Sequence, residues 1–410
     1  MPEPLLQPRY ANDFHCPGSA CEENCCQNWT VYVDKATYKK YRDVPALRRL
    51  TAGHIQLNTP ARDNFSYARI RLRSDGFCPF LTADRLCCIH QKYGAEFLSK
   101  TCFRYPRALV RFDGRLEKAL YLSCPEAARV VLLSPRLLPD LQRDPYGSFR
   151  LENPRNPSRA TYPDLVRQLR SFALELLQDR TYPLWQRMFL LGIVCRRIQE
   201  SLAAQQLARV PELLAQYAEI ILQGRLRADL EGIPVRPHLQ LDLVLQLIRC
   251  RFQVEQPHDG FAGCVADFLL AVGHSPETPL QQSAERYHQA YVRHYAPFSA
   301  AYPAFLENYL VNTVFRTRFP FADAPNQMQK QPDPLSSYLF LALHYRFLHS
   351  LLIGAAARYH GQFSAPEAVR VVQHFSRAVE HNVRFFDELS SLVQAPGLRE
   401  TDGLAALLRN

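Results

Sequence analysis

The sequence predicts a mainly α-helical protein: an N-terminal cysteine-rich α+β module that binds a metal or cluster, then a large all-helical domain. Three observations carry this. Nine of the twelve cysteines (Cys16, Cys21, Cys25, Cys26, Cys78, Cys87, Cys88, Cys102 and Cys124) precede residue 125. Strand-like alternation of apolar and polar residues is confined to that same stretch. Past residue 163 almost every segment repeats its apolar residues at helical spacing. The expected division is a cysteine module over 1–134, a linker over 135–163 and a helical domain over 164–410. A chain of 410 residues, 47% hydrophobic, buries a large core without needing disulfides.

In chain order, residues 1–15 read as an irregular arm. WTVYVDKATYKKY alternates and then turns helical. ARIRLRS (68–74) has the period of a half-buried strand. FCPFLTADRLCCIH reads as a hairpin turning at TADR, where Asp84 suits a turn. Cys78 and Cys87 then flank one turn and face a common point, whereas Cys88 on a strand points the other way. GAEFLSKTCF reads as a helix carrying Cys102, and RALVRF and LEKALYLS as strands around an Asp113-Gly114 turn. Six prolines over 135–163 exclude a long helix there. Helices are expected over 164–178, 184–202, 210–223, 241–252, 279–296, 304–319, 338–354 and 366–393. Cys195 lies on a stripe with Leu184, Met188, Leu191, Ile198 and Leu202, so it reads as core, as do Cys250 and Cys264.

The N-terminus lacks the charged and apolar regions of a secretory signal, and no apolar run of bilayer-spanning length stands out. A cytoplasmic protein with reduced thiols is expected, a setting in which clustered cysteines mean metal or catalysis. The net charge is +10. No block of five Lys/Arg occurs, so nucleic acid is not the expected partner.

Thiolates suit zinc, iron–sulfur clusters or copper(I). The spacing C-x4-C-x3-C-C, then C-x8-C, then single Cys102 and Cys124, matches neither a zinc ribbon nor a ferredoxin run. Adjacent Cys25 and Cys26 fit a polynuclear cluster or two sites more easily than one small ion. With Cys88 set aside, eight thiols remain, enough for two four-thiolate sites; structural zinc stays open. No G-x-G occurs, which disfavours a Rossmann-like domain for S-adenosylmethionine (SAM).

Five stretches, CPGSACEENCCQNW (16–29), CPFLTADRLC (78–87), LSKTCFRYPR (98–107), LSCPEAAR (122–129) and LENYLVNTVFRTRFPF (306–321), together resemble the flagellin lysine N-methylases of the FliB type. Part of the cysteine pattern is also similar to a group of small metal-binding proteins that lacks the helical domain. The resemblance implies methyl transfer from SAM to lysine ε-amino groups of flagellin. It also implies a [4Fe–4S] cluster held among Cys16, Cys21, Cys25, Cys26, Cys78, Cys87, Cys102 and Cys124, with Cys88 an extra. The rival expectation is a non-catalytic iron–sulfur or zinc protein whose helical domain binds a protein partner.

Neutralising the substrate lysine calls for a proton acceptor. ENYLVN places Glu307 and Tyr309 as catalytic candidates on one helix. Asn308 and Asn312 beside them are candidates for lining a substrate or SAM pocket, with a structural hydrogen-bond network as the plainer alternative. Arg104 and Arg107 follow Cys102 and are candidates for offsetting thiolate charge or holding the SAM carboxylate. His15 reads as solvent-facing and His381 as an ordinary histidine of a terminal helix.

Overall fold

The computed structural model describes residues 5–6, 8–59, 63–112, 115–138, 162–317, 319–321 and 333–410. The Asp113-Gly114 turn, most of the proline-rich stretch and Arg318 lie outside them.

The opening residues are more ordered than an irregular arm. β1 (Leu5–Leu6) pairs in parallel with β6 (Arg115–Leu120), and α1 (Arg9–Asp13) buries Tyr10 and Ala11. The reason is a free edge: β5 (Arg107–Phe112) and β6 form an antiparallel hairpin whose outer backbone groups accept another strand. A second small sheet has antiparallel order β2 (Tyr32–Val33), β4 (Ala68–Ile70), β3 (Ile55–Leu57). Between its strands lie α2 (Lys35–Asp43) and α3 (Pro45–Thr51). Asp34 caps α2 by accepting the Thr37 N–H at 3.1 Å. Its other oxygen accepts the Lys100 N–H at 3.0 Å, tying α2 to α5 (Lys100–Arg104).

The turn after Cys78 forms, with Leu81 bridged to Cys87, but its second arm stops at once. Cys87 is the N-cap of α4 (Cys88–Tyr93), so Cys88 begins a helix and strand alternation does not set its direction. The helix expected over 94–103 is split into a 3-10 turn (Ala95–Phe97) and α5. Ser99 caps α5, its hydroxyl accepting the Cys102 N–H at 3.2 Å. α6 (Pro125–Leu132) was not anticipated, although Pro125 in the first turn is a helix-start signal.

The remainder is helical: α7 (Tyr162–Gln178), α8 (Leu184–Ala203), α9 (Val210–Leu222), α10 (Arg227–Gly232), α11 (Pro237–Val254), α12 (Asp259–Val272), α13 (Leu280–Ala290), α14 (Ala296–Ala301), α15 (Phe305–Arg316), α16 (Pro334–Arg358), α17 (Ala365–Phe375), α18 (Val383–Val393), α19 (Pro396–Arg399) and α20 (Thr401–Leu408). π-helical turns at Tyr291–Tyr295 and Ser376–Glu380 interrupt α13–α14 and follow α17. α16 runs through the middle, packed by α8, α11, α12, α13 and α17. It is apolar on all sides because neighbours cover all sides. One amendment follows: α16 is long and apolar enough to cross a membrane, yet 94% of its apolar window is buried inside the fold. Cys195 and Cys264 are buried, and Cys250 packs against the same core.

Two hydrophobic clusters result. The smaller gathers Val31, Val33, Tyr41, Leu47, Ala68, Ile70, Cys78, Phe80 and Ile89. The larger joins Tyr10, Phe14, Ala108, Leu120, Cys124 and α6 to the helical core. The stretch 1–134 thus contributes to both. Neither sheet is the parallel, helix-covered sheet of a Rossmann-like domain.

Candidate active site

The cysteine loop is assembled by backbone pairing across long sequence distances. Gln27 bridges Phe77, and the Cys78 N–H donates to Cys26 O at 2.8 Å. The Asn24 side chain accepts the Cys26 N–H at 2.7 Å, and Trp29 Nε1 donates to Cys25 O at 2.5 Å. These bonds bring Cys25, Cys26 and Cys78 into a run of hydrogen-bonded thiols. The Cys26 hydrogen bond holds Cys25 down at about 7, with help from Arg377 against the opposing effect of burial. Cys26 itself is pushed up by those two thiols and by burial.

The other thiols gather around this run. A negative charge on Cys25 would be felt at Cys21, Cys78, Cys102 and Cys124. Cys16 acts on Cys21, and Cys78 acts on Cys87. Burial first, and the neighbouring thiols after it, push Cys102 and Cys124 up to about 12. Two thiols sit at helix starts, Cys87 before α4 and Cys124 before α6, where the first backbone N–H groups work against burial to lower them. All twelve cysteines are free thiols.

Among the described residues, no group of three or more His, Cys, Asp or Glu side chains stands in ready metal-holding geometry. The donor chemistry nevertheless fits a soft metal or cluster. The donors are sulfurs, they lie near one another, and a bound cation would offset the thiolate repulsion and the cost of burying charge that push Cys102 and Cys124 up. Cys16 and Cys25 are exposed, Cys21, Cys26, Cys87 and Cys102 half-buried, and Cys78 and Cys124 buried. His15 is exposed and donates to Asp13 O.

The cations beside the thiols are not those the sequence pointed to. Arg104 is exposed, and Arg107 stacks on Phe14 at 5.2 Å. Arg377 and Arg73 instead lower Cys25 and Cys78. Arg377 comes from the π-helical turn after α17, where it meets Glu23 at 2.6 Å and donates to Gln27 O at 3.3 Å. Gln373 donates to the same Glu23 at 2.9 Å and to Ser123 O at 3.1 Å. The turn therefore clamps the cysteine loop to the helical core. No spacing in the sequence exposes this, because π-helical turns leave no pattern of their own.

The polar face of α15 is committed elsewhere. Glu307 is wholly buried and pairs with Arg180 at 2.9 Å and Arg187 at 2.8 Å. Asn308 donates to Ser134 O at 2.6 Å and Leu132 O at 3.4 Å, satisfying carbonyls left open at the end of α6. Asn312 donates to Leu120 O and accepts from the Tyr10 hydroxyl, both at 3.0 Å. These three side chains hold α15 against α6, α8 and β6: Asn308 and Asn312 serve the structural hydrogen-bond network that was the plainer alternative to lining a pocket, and Glu307, a catalytic candidate, is locked in buried ion pairs. Tyr309 differs: its hydroxyl donates to Glu380 at 2.8 Å, and Glu380 also meets Arg316 at 3.1 Å.

That pair leads to the thiols. Arg316 lies over the Tyr121 ring at 5.7 Å, and Tyr121 packs on His381 with ring centroids 4.9 Å apart. His381 Nε2 meets Ser123 Oγ at 2.9 Å, and Ser123 Oγ meets the Tyr105 hydroxyl at 3.1 Å. Tyr105 packs on Trp29 at 5.4 Å. His381 is exposed, yet surrounding protein, with Arg316 and Arg377, lowers its pKa to about 4. Sequence reasoning took His381 as an ordinary histidine of a terminal helix and missed Ser123 and Glu380. HNVRFF carries no motif, and the partners lie some 260 residues upstream.

Residues 170–407 match the family described as the FliB lysine N-methylase C-terminal domain. The chain is 27% identical over 403 residues to a lysine-N-methylase of Salmonella choleraesuis, covering 92% of each chain. It is 25% identical over 409 residues to a lysine-N-methylase of Salmonella typhimurium, again with 92% of each covered. A flagellar biosynthetic protein FliU of Salmonella muenchen is 35% identical over 132 residues, which is 32% of this chain and 78% of that one. No solved structure matches.

Proposed function

The chain belongs to the FliB lysine N-methylase family, and on that premise we propose that it transfers methyl groups from SAM to lysine ε-amino groups of flagellin in the cytoplasm. The observation that supports this best is the meeting of the cysteine-rich stretch with the helical core: Ser123 Oγ lies 2.9 Å from His381 Nε2, Tyr121 packs on His381, and Arg377 acts on Cys25.

The [4Fe–4S] cluster of this proposal, or a pair of them, would draw its thiolate ligands from Cys16, Cys21, Cys25, Cys26, Cys78, Cys87, Cys102 and Cys124. Zinc is the alternative occupant. Held by three of these thiolates, the cluster would supply an iron able to chelate the amino and carboxylate groups of SAM, a role the chain has no Gly-rich loop to fill. Arg377 and Arg73 offset thiolate charge. The proton of the lysine ammonium does not pass to Glu307, which two arginines hold in the core.

Purified without air, the protein is expected to be brown and to lose SAM binding when iron is stripped. Incubated anaerobically with labelled SAM and flagellin, it labels lysine. A colourless zinc-loaded protein removes the cluster assignment. Absence of label with the cluster intact removes the activity.

A further inference from the structure

We propose that the cleft between α12, α13 and the end of α16 binds a small organic phosphate, its charge held by Arg286, Arg293 and Arg358 and its carbon skeleton laid on the apolar floor between them. The site shares no residue with the thiols or their neighbours, and it does not rest on the methyl-transfer reading.

The cleft is an open cavity of about 350 Å³, a size that suits a small molecule. One wall is α12, where Asp267, Leu270 and Ala271 fall on one face at helical spacing. The facing wall is α13 with the π-helical turn Tyr291–Tyr295, which supply Arg286, Ala290, Arg293 and His294. Ala357 and Arg358, from the end of α16, close it, and His360 follows. Two irregularities of backbone therefore border the same opening. π-helical turns gather at functional sites. His360 stands at φ +45°, just past a helix end where glycine is the usual residue. Its ring meets His294 edge-on, with centroids 6.0 Å apart.

Three guanidinium groups face a single carboxylate, so positive charge is in surplus. Asp267 meets Arg358 at 3.7 Å, a contact that leaves most of the guanidinium N–H groups unspent. Arg286 lies across the end of α12, donating to Gly273 O at 3.4 Å, and a Cβ at position 273 would collide with its guanidinium. Among the described residues the Arg293 side chain has no ion-pair or hydrogen-bond partner. All three arginines are exposed. Guanidinium groups from three elements around one opening suit an anion with several oxygens, each bonded in pairs. A phosphate monoester presents more charge and more acceptor oxygens than a carboxylate. The floor of Leu270, Ala271, Ala290 and Ala357 calls for carbon as well. Leu270 is 74% exposed, a large apolar side chain left uncovered at the cleft.

Phenyl phosphate is the probe, compared with inorganic phosphate, phenol and a tetraglutamate peptide by isothermal titration calorimetry. The full chain is used, purified without air, at low ionic strength. One site for phenyl phosphate, weaker binding of inorganic phosphate and none of phenol are the expected results. Arg293→Ala and Arg286→Gln are each expected to weaken phenyl phosphate roughly 10- to 100-fold. Their thermal unfolding should match the parent, because both side chains are exposed. Arg249→Ala removes an exposed arginine of α11 outside the cleft and should leave binding unchanged.

No binding of phenyl phosphate, binding indifferent to Arg293→Ala and Arg286→Gln, or an equal loss in Arg249→Ala overturns the site. Tetraglutamate binding in place of phenyl phosphate, with the same dependence on Arg293, overturns the small-molecule assignment and makes the cleft a seat for an acidic protein segment. Inorganic phosphate binding as tightly as phenyl phosphate overturns the role of the apolar floor.

Discussion

Glu307 shows how a buried charge is held. Its two oxygens meet Arg180, which reaches solvent, and Arg187, which does not. Removing the carboxylate leaves Arg187 charged and unpaired in the core. Glu307→Leu is therefore expected to destabilise the fold by about 3–5 kcal/mol. Adding Arg187→Met should recover much of that loss. Urea denaturation of the single and double variants measures both, and equal stability of the two would contradict the pairing. The sequence displayed ENYLVN as polar residues on an apolar helix, which is enough to say that they need partners. It did not display the partners, because Arg187 lies 120 positions and Leu120 192 positions away. Arg377 was hidden for the same reason, since its thiol neighbours are some 350 residues upstream.

Packing of one helix on another sets the next constraint. Gly354 of α16 sits against the backbone of α12, so that a Cβ there would come within 2.4 Å of the Phe268 Cα. Backbone cannot yield as a flexible side chain does. Gly354→Ala is expected to cost about 1–3 kcal/mol. Gly263, within α12 itself, has nothing within 4 Å of such a Cβ. Gly263→Ala should be neutral or stabilise by up to about 1 kcal/mol through backbone entropy. Thermal unfolding of the pair tests this: similar shifts in both would refute the close approach. At this scale the sequence was informative where periodicity runs long, as in α7, α8, α11 and α16. It was less so where a cap ends one element and begins another within a residue or two, as at Cys87 and Ser99.

Across the whole molecule, several histidines share one sign of pH dependence. Burial lowers His258 and His344 to about 4 and His349 well below its ordinary value. Between about pH 6.5 and 4 the unfolded chain therefore binds protons that the folded chain does not, so stability rises with pH and falls as acid is added through that window. His349 is enclosed by the rings of Tyr291, Tyr295 and Tyr345. His349→Phe is expected to make the acid loss shallower. Urea midpoints at pH 7 and pH 5 for the two proteins read it, and identical slopes would exclude His349 as a contributor. What the sequence determined alone is the class of the protein. Helical period and the crowding of thiols before residue 125 are local properties, written in residue type and spacing. Only the tertiary structure decided which groups meet. It committed Glu307, Asn308 and Asn312 to holding helices together, put Arg377 in place of Arg104 beside the thiols, and brought His381 against Tyr121 and Ser123. Contacts between residues hundreds of positions apart depend on how complete surfaces pack, and no stretch of sequence carries that by itself.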